Sequence, residues 1–135
     1  MKWKTLLLSI SFGTLFILAS CRDDPYKQGR ILYQNFCASC HMDDGSGLAG
    51  NIPPLAGADY VAQHQEALAC IIRYGMEGEV VVNGTTYNNP MEGIGALSDF
   101  EITNVINYIN HSWGNDYGYM TYGEVKKALA NCSED

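Results

Sequence analysis

The 135 residues suffice for one domain and exclude a large multidomain enzyme. Beyond residue 20 there are 6 basic against 15 acidic residues, a formal charge of −9, which excludes nucleic-acid binding through phosphate neutralisation. Over the same 115 residues Val, Ile, Leu and Phe number 22, about 19 %, below the fraction expected of a well-filled core at high net charge. Either something other than side chains supplies apolar volume, or the chain is not globular.

Lys2 and Lys4 precede an uncharged, largely apolar run from Leu6 to Leu18, the layout of a secretory signal. Its 13 residues fall short of the roughly 20 needed to span a bilayer. The run ends in Leu18-Ala19-Ser20-Cys21, which resembles the lipobox of bacterial lipoproteins, where cleavage precedes a Cys that takes the lipid. A plain secretory signal followed by an ordinary Cys is the alternative. The lipobox reading makes residues 1–20 a signal peptide and residues 21–25 a lipidated Cys21 with a polar tether. It places the protein outside the cytoplasm, lipid-anchored to a bacterial membrane on the periplasmic side or the cell surface. In such a compartment disulfides and covalent cofactor attachment are available.

From Tyr26 to Phe36, apolar or aromatic side chains at Ile31, Leu32, Tyr33 and Phe36 suit a short helix, with Gly29 and Tyr33 four apart on one face. Cys37-Ala38-Ser39-Cys40-His41 follows. This is the C-x-x-C-H spacing by which two thiols reach the two vinyl groups of one haem while the adjacent His ligates its iron. A redox dithiol needs a βαβ context absent here, and a zinc site needs a second ligand pair, whereas Cys70 and Cys132 stand apart. Gly45, Gly47 and Gly50 then lead into Pro53-Pro54-Leu55-Ala56-Gly57, a stretch whose turn residues predict a loop. No Gly-Lys-Ser/Thr follows, so it is not a phosphate cradle.

A helix is expected over Asp59–Tyr74, with His64 an exposed polar residue on it. Val80 to Tyr87 reads as two short strands joined by the Asn83-Gly84 turn. Ser98-Asp99-Phe100-Glu101 is a capping box ahead of Ile102, Val105, Ile106 and Ile109, an i, i+3, i+4, i+7 stripe. Trp113, Tyr117, Tyr119 and Tyr122 crowd a Gly-punctuated stretch. A second capping box, Thr121 to Glu124, starts a short helix to about Asn131 with a narrow Val125, Ala128, Leu129 stripe. That helix is expected to dock on the core through the aromatics rather than to bind a partner. A disulfide between Cys70 and Cys132 and a buried, unbridged Cys70 are both open, the unbridged form being slightly favoured.

From Tyr26 to Tyr108 the chain resembles a class I c-type cytochrome. The resemblance implies a mostly α fold with helices packed around one covalently bound haem c, a short β-hairpin before the Met loop and an extra C-terminal helix. The domain then covers residues 26–112, and residues 113–135 form an aromatic linker and terminal helix. It implies that Gly29 and Tyr33 let the first helix cross the one carrying Ile102 to Ile109, with Tyr108 at an aromatic position of that crossing. Pro53-x-Leu55 looks like the family's P-x-L-x-G, whose Pro carbonyl accepts a hydrogen bond from the ligand His41 and whose Leu packs on the porphyrin. For the sixth iron position the candidates are Met42, Met76, Met91, Met120, His64 and His111. Met42 is adjacent to His41 and cannot reach the opposite face, while His64 and His111 read as surface or capping residues. Tyr87-Asn88-x-x-Met91 resembles relatives with Y-N-x-x-M before the last core helix, which selects Met91; many relatives carry Pro directly after that Met, whereas here Pro90 precedes it.

The expected function is that of an electron carrier rather than an enzyme, serving a redox protein or membrane oxidoreductase with a basic docking patch. Alternatives are an electron-transfer subunit of a larger oxidoreductase complex and, less favoured, a haem sensor or peroxidase with an open sixth position.

Overall fold

The computed structural model describes residues 24–132, so Cys21 and the signal and lipobox assignments lie outside the described residues. Helix α1 (Lys27–Phe36) buries Gly29 and Tyr33. It crosses α5 (Asp99–Asn110), where Ile102, Val105 and Ile106 are fully buried. The crossing is close because Gly29 has no side chain: a Cβ there would stand 2.1 Å from the Asn104 carbonyl oxygen. At the start of α5 the capping box is complete. Ser98 Oγ accepts from the Glu101 N–H at 3.3 Å, and Glu101 Oε2 accepts from the Ser98 N–H at 2.8 Å.

The helix expected over Asp59–Tyr74 is broken. It comprises α3 (Asp59–Gln63), a single 3₁₀ turn (Gln65–Ala67) and α4 (Leu68–Tyr74). His64 leaves the helical region with φ −122° and ψ 40°. Its ring stacks on Tyr60 and its Nδ1 donates to the Tyr60 carbonyl. The break frees Gln65 to exchange two amide hydrogen bonds, of 3.1 and 2.6 Å, with the fully buried Asn110. A continuous helix satisfies local periodicity, but a buried Asn side chain needs partners, and Gln65 supplies them.

Strands β2 (Val80–Val82) and β3 (Thr85–Tyr87) form the hairpin expected at Asn83-Gly84, both turn residues having positive φ (50° and 76°). Around it lies a second ladder that periodicity does not reveal. β1 (Gly75–Met76) pairs antiparallel with β4 (Met91–Glu92), so that Met76 faces Met91. Gly75 serves that ladder, since a Cβ on it would stand 2.4 Å from the Met91 carbonyl oxygen.

Helix α6 (Tyr122–Ala130) starts at its own complete capping box, Thr121 with Glu124. Its docking differs from the expectation. Val125 is fully buried and Ala128 and Leu129 pack on the core, whereas Tyr119 and Tyr122 are exposed. Of the aromatics, Trp113 packs against Tyr33 and Tyr108, and Tyr117 is half-buried. Cys70 and Cys132 are joined in a disulfide, which overturns the slightly favoured unbridged form. Packing of α6 on α4 brings their Cα atoms to 5.7 Å, within bridging range, a proximity that only the tertiary arrangement creates. Among the described residues no helix is long and apolar enough to cross a membrane.

Candidate haem site

Cys37 caps α1, its N–H donating to the Tyr33 carbonyl, and the chain turns into the single-turn helix α2 (Ala38–His41). One turn therefore carries both thiols and the His. Cys37 and His41 are buried and Cys40 is exposed. Tyr33 Oη donates to the Met42 carbonyl at 2.6 Å, holding the backbone where Met42 adopts φ 63° and ends the helix. Burial raises the Tyr33 phenol above its usual range, so it remains a donor. Burial also pushes the Cys37 thiol up to about 11, with the nearby Cys40 adding to the shift.

His41 Nδ1 lies 3.1 Å from the Pro53 carbonyl oxygen. A carbonyl only accepts, so Nδ1 carries the proton and Nε2 keeps a free electron pair. Burial lowers the His41 pKa, and the Pro53 hydrogen bond opposes this only in part, so the imidazole is neutral near pH 7. A neutral, tautomer-fixed imidazole is the form that binds a metal.

The Pro53 loop is held from two sides. Leu55 N and Ala56 N both donate to the Gly45 carbonyl, at 2.8 and 3.0 Å. From the far end of the chain, Asn115 donates to the Leu55 carbonyl at 3.0 Å and accepts from Gly57 N at 2.7 Å. Trp113 Nε1 donates to the Asp43 carbonyl at 3.1 Å. Its indole packs so closely on Gly45 that a Cβ there would stand 2.6 Å from the ring.

A cavity of about 280 Å³ opens between this unit and the nested strands, bounded by Phe36, Cys37, Cys40 and His41 on one side and by Met76 and Met91 on the other. An apolar pocket of about 60 Å³ shares three of those residues, Cys37, His41 and Met91, and adds Leu55, Val61, Leu68, Ile72 and Val105. Met76 lines only the first. A larger open groove of about 730 Å³ beside α6 has mixed polar walls and contains neither His41 nor a free thiol.

The structure thus brings together Cys37, Cys40, His41, Pro53 and Met91, and sets Leu55 in the adjoining apolar wall. Of the candidates not selected, Met76 shares the larger cavity with Met91, whereas His64, His111 and Met120 do not line it. His64 and His111 donate to the carbonyls of Tyr60 and Asn107, and the Met120 backbone pairs with the Asn107 side chain. Asn115 was missed by sequence reasoning, since between Gly114 and Asp116 it carries no signal beyond that of a polar loop. These residues fit a covalently attached haem: two thiols one turn apart, an imidazole with a free Nε2, a thioether lining the same cavity and an apolar surround.

The family model for cytochrome c matches residues 26–113. Cytochrome c-552 of Thermus thermophilus is 38 % identical over 136 residues, covering 94 % of this chain and 86 % of that protein. The cytochrome c subunit of a quinone alcohol dehydrogenase from Gluconobacter oxydans is 33 % identical over 103 residues, covering 73 % of this chain but only 21 % of that subunit. The gluconate 2-dehydrogenase cytochrome c subunit of Pantoea cypripedii is 30 % identical over 97 residues, with 70 % and 22 % covered. With a family match over most of its length and a relative aligned almost end to end, this chain belongs to the cytochrome c family, as a class I c-type cytochrome and electron carrier whose cofactor is covalently bound haem c.

Proposed function

We propose that this is a membrane-tethered monohaem cytochrome that carries single electrons between redox partners outside the cytoplasm. Cys37 and Cys40 form the thioether links, His41 and Met91 ligate the iron, and Cys21 takes the lipid. The observation that carries the ligand assignment is that Met91, unlike Met76, lines both the cavity and the adjoining apolar pocket with Cys37 and His41. Bound haem supplies a one-electron couple at its iron. Pro53 holds His41 in one tautomer, so the same nitrogen faces the metal in both oxidation states. The β1–β4 ladder holds the Met91 backbone in register, and its soft thioether favours the reduced metal. Leu55, Val61, Leu68 and Ile72 keep water out, which limits reorganisation when the charge changes.

In the oxidised protein the weak near-infrared Met-to-iron band should be present. It should vanish in Met91→Ala and persist in Met76→Ala. Loss in Met76→Ala alone would reassign the ligand. Lipidation is tested by mass spectrometry of the mature N-terminus, where an unmodified Cys21 would rule out the tether.

A second reading, a subunit of a larger oxidoreductase, draws support from relatives that are cytochrome c subunits of dehydrogenases. Stable co-purification with a dehydrogenase would favour it over a freely shuttling carrier.

A further inference from the structure

The carbonyl that orients His41 belongs to a loop held partly by a residue outside the matched family segment of 26–113. Asn115 is 7 % exposed, and its side chain makes three hydrogen bonds: from Gly57 N (2.7 Å), to the Leu55 carbonyl (3.0 Å) and to the Ile109 carbonyl in the last turn of α5 (2.9 Å). With the Gly45 carbonyl accepting from Leu55 N and Ala56 N, and the Pro53 carbonyl accepting from His41 Nδ1, the short run 53–57 is bonded at five backbone atoms. Two of the five go to Asn115. The anchor on the far side, Ile109, lines the apolar pocket together with His41 and Met91.

We infer that Asn115 is a positioning residue of the haem site, fixing the Pro53 carbonyl against His41 and thereby setting the donor strength of that imidazole. The inference rests on the proposed ligation by His41. A hydrogen bond from Nδ1 to a well-placed carbonyl makes the other ring nitrogen a stronger donor, which favours oxidised iron. Loosening the loop weakens that bond and moves the potential positive. Two other buried amides supply the contrast. Asn107 bonds the Met120 backbone, and Asn110 bonds Gln65 and the Gly118 carbonyl. Both secure the tail without touching residues 53–57.

The test uses the holoprotein and reads two quantities, hydrogen exchange of the His41 Nδ1 proton in the reduced state by NMR and the midpoint potential by redox titration. Asn115→Leu should speed that exchange several-fold and shift the potential positive. Asn107→Leu should lower Tm and leave both readouts at wild-type values. Asn115→Ala removes all three hydrogen bonds without adding bulk or charge, so it should give both changes in the same direction, and it decides the matter if Asn115→Leu does not fold. Wild-type exchange and potential in the Asn115 variants, with the optical spectrum intact, would overturn the inference while leaving His41 ligation standing. A native spectrum in His41→Gly would instead sink the underlying assignment, so the two failures are distinguishable.

Discussion

A methyl group at Gly29 would stand 2.1 Å from the Asn104 carbonyl oxygen and 2.6 Å from the Tyr108 Cβ. Backbone cannot yield as the tip of a flexible side chain can, so any larger residue must push α1 away from α5. Gly29→Val should therefore destabilise the holoprotein by about 3 kcal/mol, the upper part of the range for overpacking, which a urea titration measures. The C-x-x-C-H unit was legible from its local spacing, and the roles of Gly29, Tyr33 and Pro53 were implied by the resemblance to class I c-type cytochromes. Asn115 was not legible, because its partners on the Pro53 loop stand 58 and 60 residues away.

Among the elements, α5 and α6 begin alike, each at a complete capping box. Ser98→Ala should cost about 1 kcal/mol, the usual value of an N-cap, with the haem spectrum unchanged. Hydrogen bonds from Ser98 and Thr121 hold the Glu101 and Glu124 carboxyls below the usual 4.5. Their stabilising effect is thus present above pH 4.5 and fades as pH falls through the lower folded values. Helix α6 has the disulfide as a second tether. Removing that link in Cys132→Ser releases a loop closed over 62 residues, and loop-closure entropy puts the loss at up to about 4 kcal/mol, measured by thermal melting. The hairpin at Asn83-Gly84 was legible because the turn pair specifies it. The β1–β4 ladder was not, since two residues per strand have no periodicity to detect.

At the scale of the whole molecule, the shortage of Leu, Ile, Val and Phe is reflected in where those residues sit. Both Phe residues of the described chain are exposed, Phe36 at 44 % and Phe100 at 63 %. The buried core combines Tyr33 and Tyr87 with the aliphatic face of α5 and with Val61, Leu68, Ile72, Leu97 and Val125. Phe36 borders the 280 Å³ cavity and so lines a space rather than filling it. Haem-free protein should consequently melt at much lower temperature and less cooperatively than the holoprotein, which calorimetry resolves; equal melts would refute a core completed by the cofactor. Charge acts at the same scale. Among the described residues Glu92 is the one charged residue lining that cavity, and the chain beyond residue 20 carries −9, so electron transfer to a basic partner should slow as salt is added.

Sequence alone determined the C-x-x-C-H unit, the two helix starts and the Asn-Gly turn, because each depends on residues within one or two turns of chain, and the family resemblance implied the close crossing of α1 and α5. Tertiary structure alone decided the break at His64, the facing of Met76 and Met91, the Cys70–Cys132 bridge and the hold of Asn115 on the Pro53 loop. Each of these joins a donor to an acceptor, a strand to a strand or a thiol to a thiol across distant segments. Which groups meet there depends on how the helices pack, and no local pattern encodes it.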